Sequence, residues 1–125
     1  MDVSPERFEQ LVARALDNLP DKYQRVLENV AVVIEESSDR PKSGNFLTLG
    51  RYQGVPRISR QGHNPTFPDR ITFYREDLAL LARTENDLKE QIKRTLWHEI
   101  GHHVGFSDAE LRRLEKKHIK PKIDP

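Results

Sequence analysis

His98-Glu99-Ile100-Gly101-His102-His103-Val104-Gly105-Phe106-Ser107-Asp108 reads H-E-x-x-H-x-x-G-x-x-D. On a helix, residues four apart lie on one face, one turn up. His98 and His102 therefore point two imidazoles at one place, and Glu99 sits beside them but off their row. Two such histidines can share a metal ion, and the adjacent carboxylate can take a proton from metal-bound water. Gly105 accepts φ > 0 at a helix end and lets the chain turn sharply. That turn can bring Asp108 back as a third ligand. Three protein ligands leave a fourth position for water, the pattern of a catalytic zinc site rather than a closed structural one.

The surrounding residues make the segment helical. Thr84 is a plausible N-cap, with Asp87 three residues on as an imperfect capping box. Leu88, Ile92, Leu96, Ile100 and Val104 then recur every four residues as an apolar stripe for the core. At about 100° per residue, His98 and His102 lie well off that stripe. A solvated polar face is the plain alternative, and a structural helix has little use for two histidines and a glutamate there. The third ligand has two candidates, Asp108 and Glu110. Ser107 and Glu110 form an S-x-x-E capping box that would open a final helix and occupy the Glu110 carboxylate. Asp108 would stand at the first helical position, where the dipole favours an anion. The glycine-then-three spacing favours Asp108 as the ligand. His103 points about 100° away from His102, onto the apolar stripe, and reads as a partly buried histidine with a hydrogen-bonded partner. Trp97 borders the same stripe and reads as a packing residue.

At these residues the chain resembles the minimal zincin-like metallopeptidases, a group of small bacterial proteins. The motif is a zincin pattern with aspartate where metzincins carry a third histidine. Supporting stretches are Phe8–Val12, Leu16–Pro20, Asn29–Val33, Tyr52–Pro56 and Pro68–Thr72, so the resemblance runs from about Phe8 to about Leu114. It implies a compact zincin-type α+β domain, one zinc ion on His98, His102 and Asp108, and Glu99 as catalytic base. Full metzincins place a methionine turn beneath the metal; the only methionine here is Met1, so the chain departs from them there.

Composition bounds the rest. At 125 residues the chain is one domain's worth, expected to span 1–125. Charged residues are 33% and nearly cancel to +1, which gives neither a nucleic-acid footprint nor a bias toward acidic partners. The locally basic run Arg112-Arg113 to Lys116-Lys117-His118 reads as a solvated helix face and tail. Without cysteine there is no disulfide and no thiolate metal site. Neither a signal peptide nor a stretch long enough to span a membrane is visible. These features lead us to expect a cytoplasmic monomer without nucleic-acid or membrane partners; the motif and the resemblance imply a peptide or protein substrate.

The N-terminal third is scaffold. Ser4 is a good N-cap and Pro5 fits the first helical position. Phe8, Leu11, Val12, Ala15, Leu16 and Leu19 keep helical spacing, and Tyr23, Val26, Leu27 and Val30 suggest a second, shorter helix. Val30–Ile34 reads as a buried strand. Phe46–Tyr52 and Val55–Ser59 read as two strands about a Gln53-Gly54 turn, with Pro56 demoting the second to an edge. Gln61–Pro68 reads as a loop over the site, where His63 could approach the metal but is more simply a solvated histidine. From Asp69 to Arg75, Ile71 and Phe73 alternate with Thr72 and Tyr74. Ile71, Thr72, Phe73 and Tyr74 are the candidate sheet edge on which an extended peptide could be added as a strand. Tyr74 and Arg70 are candidate oxyanion donors. A short helix, Arg75–Leu81, links this strand to the motif helix.

The pattern thus predicts an α+β chain with N-terminal helices, a small mixed sheet, a long metal-binding helix and a C-terminal helix. Its expected activity is zinc-dependent peptide hydrolysis. The alternative is a metal-binding regulatory or protein-interaction module with little peptidase activity; Glu99, which such a module would not need, weighs against it. A regulatory protease that cleaves a repressor is a further enzymatic version.

Overall fold

The computed structural model describes residues 1–39, 47–54 and 69–116. The proposed strand Val55–Ser59, the Gln61–Pro68 loop with His63, Phe46 and most of 37–45 lie outside them, as do Lys117 and His118.

Helix α1, Pro5–Asp17, starts where its cap dictates: the Ser4 hydroxyl accepts from the Arg7 amide at 3.1 Å, and Pro5 opens the first turn. A short α2, Asp21–Val26, follows. It ends earlier than the apolar spacing suggests, because Val30 belongs to strand β1, Val30–Glu35. Strands β2, Gly50–Gln53, and β3, Asp69–Tyr74, complete the sheet. Helix α3, Arg75–Leu81, has the predicted bounds. The motif helix α4 spans Glu85–His103, and α5 spans Asp108–Lys116.

The sheet order is β1-β3-β2, with β1 parallel and β2 antiparallel to β3. Among the described residues, this mixed sheet with five helices is the expected α+β fold. Two expectations fail on strand order. Strand β1 is half-buried rather than buried; among the described residues it stands at one side of the sheet with one neighbour. More consequentially, β3 is central and paired on both sides, so Ile71, Thr72, Phe73 and Tyr74 cannot accept a peptide as an added strand. All four are buried, Thr72 and Tyr74 included. The alternation in their sequence does not mark a solvated face.

Helix α4 organises the core. Leu88, Ile92, Leu96, Ile100 and Val104 are all buried, as their spacing predicts. The first four pack in one cluster with Phe8, Leu11 and Val12 of α1 and Ile71 and Phe73 of β3. Burial of each such large side chain contributes about 1.5–3 kcal/mol. Thr84 caps α4 by accepting from the Asp87 amide at 3.1 Å, while the Asp87 carboxylate reaches back to the Arg83 amide at 2.9 Å. An Arg7–Glu85 ion pair joins the starts of α1 and α4. Trp97 packs edge-on to Tyr23 at 4.5 Å, the structural role its position predicts.

Candidate metal centre

The last turns of α4 and the first residue of α5 build the site. Gly105 has φ +104°, a backbone region that favours glycine. Its amide bonds to His102 O at 3.0 Å and the Phe106 amide to Gly101 O at 2.9 Å, the paired bonds of a Schellman ending. Ser107 and Glu110 then form a reciprocal capping box, at 3.1 and 3.2 Å. The box holds the Glu110 carboxylate on the Ser107 amide and pulls its pKa below the usual carboxylate range. Glu110 is thereby engaged, and Asp108 is left facing back toward α4.

His98, His102 and Asp108 converge. His98 Nε2 lies 3.2 Å from His102 Nε2 and 3.2 Å from Asp108 Oδ1, and His102 Nε2 lies 2.9 Å from the same oxygen. A tetrahedral ion with arms of about 2.0–2.1 Å separates its ligand atoms by roughly 3.3–3.4 Å. The donor chemistry agrees. His102 Nδ1 lies 3.1 Å from Phe106 O, which can only accept, so the ring proton sits on Nδ1 and the Nε2 lone pair faces the cluster. A nitrogen lone pair and a carboxylate oxygen at 2.9 Å repel unless a proton or cation lies between them. Partial burial pushes the Asp108 carboxyl up; with the imidazoles protonated rather than facing a cation, the charge of His102 and the His98 hydrogen bond outweigh it and hold the carboxyl below its ordinary pKa. The three side chains could hold a metal ion.

Glu99 is buried on the adjoining face and lines the same cleft, a space of about 520 Å³ that also borders His98 and Asp108. The segment from Leu47 to Gly50 also lines it. A Cβ at Gly50 would fall 2.6 Å from Thr95 Cγ2, so the absent side chain is what lets β2 lie so close to α4.

The match to the zincin-like metallopeptidase family model covers residues 27–118. The chain belongs to that family. No curated protein matches it. Among solved structures it is similar to a conserved hypothetical protein from Thermus thermophilus, with a TM-score of 0.59 and 25% identity over 91% of this chain and 99% of the other. Family membership implies a metal, typically zinc, in a chain whose candidate ligands have just been located by geometry.

Three further parts of this zincin-like site do not follow from sequence. The Leu47–Gly50 wall carries no chemical signature, and only the sheet order places it beside α4. Gly101, inside the motif, is a contact point: a Cβ there would fall 2.1 Å from Leu111 Cδ2 of α5. Asp69 and Tyr52 are the partners of buried His103, at 2.9 Å and 3.4 Å from its Nδ1. A bonded, buried His103 matches expectation; its partners come from distant strands. Of the candidate oxyanion donors, Tyr74 is buried and Arg70 exposed, and neither lines the cleft.

Proposed function

We propose that the chain is a zinc-dependent peptidase that hydrolyses peptide bonds. The carrying observation is the convergence of His98 Nε2, His102 Nε2 and Asp108 Oδ1 beside Glu99, in an open cleft. Zinc bound there would supply a Lewis acid that lowers the pKa of a coordinated water to about 7 and polarises a carbonyl. The protein does the rest. The Phe106 carbonyl fixes the His102 tautomer and ring. The Gly105 turn and the α5 cap set Asp108 against both imidazoles. Glu99 takes the proton of the attacking water and delivers it to the leaving amine. Its burial beside Gly50 keeps the carboxylate on the cleft side of α4.

Among the described residues, β2 and the segment before it flank the cleft, so an extended substrate would lie along Leu47–Gly50 rather than on β3. The test is elemental analysis of purified protein combined with cleavage of a peptide library. About one zinc per chain, with cleavage abolished by a chelator and restored by zinc, supports the reading. Bound zinc without cleavage of any peptide would favour the metal-binding module instead.

A further inference from the structure

The cleft extends past the metal group along α4. Gln91, Arg94, Thr95 and His98 line it from α4, spaced as one helix face, and the Leu47–Gly50 segment lines it as well. Charge along this lining is uneven. Glu99 and Asp108 are committed to the candidate metal centre, and Arg94 is the one cation among the described lining residues. Arg94 is exposed and makes no hydrogen bond or ion pair among the described residues. Asp87, one turn beyond Gln91, is already held by the Arg83 amide and Gln91 and feels Arg94 only as a minor coulombic effect.

We infer that Arg94 is a specificity residue that selects substrates carrying a carboxylate near the scissile bond. This deepens the peptidase reading and rests on it. A guanidinium offers a planar fork of donors that matches a carboxylate in two parallel bonds. Arg94 precedes His98 by four residues, about 6 Å along the helix axis. An extended peptide advances about 3.3–3.4 Å per residue. The carboxylate therefore falls about two residues from the bond that is cut. An uncharged peptide leaves the guanidinium in water and gains nothing from it.

Fluorescein-labelled decapeptides, each with one glutamate or its glutamine counterpart at successive positions, provide the test. Binding is read by anisotropy on zinc-loaded Glu99→Gln protein, and cleavage by mass spectrometry with zinc-loaded wild type. The glutamate peptides should bind and be cut about fivefold better, best when the glutamate lies about two residues from the cut. Arg94→Gln should level the pairs, and Arg94→Glu should turn the preference toward lysine. Lys93→Glu, exposed on the groove toward α1, should leave the preference as it is and controls for bulk charge. Peptides with free and amidated C-termini separate a side-chain carboxylate from a terminal one. Glutamate and glutamine peptides binding alike, including not at all, would overturn the inference, as would a preference that survives Arg94→Glu. Cleavage without preference defeats the inference alone. Binding that depends on Arg94 without any cleavage defeats the peptidase reading alone.

Discussion

Asp69 Oδ2 lies 2.9 Å from His103 Nδ1, and the two residues are 1% and 4% exposed. The same oxygen accepts the Tyr52 hydroxyl at 2.7 Å. One carboxylate thus joins the start of β3, strand β2 and the end of α4, a residue away from candidate ligand His102. Replacing Asp69 with alanine leaves the buried His103 and the half-buried Tyr52 hydroxyl without this acceptor, at about 1–3 kcal/mol for a buried donor. Asp69→Ala should lower the urea unfolding free energy by about 3 kcal/mol or more. Tyr52→Phe, which removes one donor together with its bond, should cost about 1 kcal/mol. A double-mutant cycle should show that the two losses do not add.

Gly101 and Leu111 give a second prediction. A methyl group at Gly101 would overlap the Leu111 side chain, itself 1% exposed. Helix propensity favours alanine over glycine by about 1 kcal/mol, while overpacking a core costs about 1–3 kcal/mol. The clash should win. Gly101→Ala should lower stability and, by pushing α5 outward with Asp108, weaken zinc binding. Adding Leu111→Ala should restore zinc affinity even if stability stays low. Unchanged affinity in Gly101→Ala would show that α5 can shift without moving Asp108.

What can be read from the chain alone is local. Ser4, Thr84 and the Ser107–Glu110 pair place helix starts because a cap needs only neighbouring residues. The four-residue stripe of α4 and the convergence of His98, His102 and Asp108 follow from helix geometry and one glycine turn. Strand order does not follow from local pattern. Thr72 and Tyr74 look like a polar face in sequence, yet both are buried on the central strand of the described sheet. The same non-local fact hides the Leu47–Gly50 wall and the link from Asp69 to His103, residues 34 positions apart (69 to 103).

Stability should depend on pH through the helix caps. Asp87 is held low first by the Arg83 amide, Glu110 by the Ser107 amide, and Glu85 by its hydrogen bond from Arg7. A carboxyl whose folded pKa lies below its unfolded value binds its proton more weakly when folded. Its stabilisation is complete above the ordinary carboxylate range and is lost as pH falls through the lowered folded pKa. Unfolding free energy should therefore decline below about pH 4. Asp87→Asn should flatten that decline in denaturant titrations taken at successive pH values. A steeper decline in the variant would contradict the assignment.

Asp108 and Glu110 are two residues apart on α5 and should respond differently. Asp108→Asn removes a charged donor from the candidate metal group and should weaken zinc binding by more than about 100-fold, since even outer-shell changes cost about 10–100-fold. Glu110→Gln should leave zinc affinity nearly unchanged and lower stability slightly through the weakened cap. Competition titration with a chelating dye, beside thermal melts, separates the two effects. Loss of zinc in Glu110→Gln with retention in Asp108→Asn would reassign the third ligand.

Glu99 offers the sharpest test of the catalytic reading. It follows His98 directly in α4, is 5% exposed and borders the cleft rather than the converging donor atoms. Glu99→Gln keeps the shape and a hydrogen-bonding side chain but removes the base. The variant should fold, retain one zinc per chain, and lose about 10²–10⁴-fold in peptidase rate. The loss should fall on kcat rather than KM, because a base that acts on water contributes to the transition state and little to substrate binding. If the variant cleaved peptides as fast as wild type, the activity would belong to a contaminating protease. If it lost its zinc, Glu99 would be a part of the metal centre and the proton would need another acceptor.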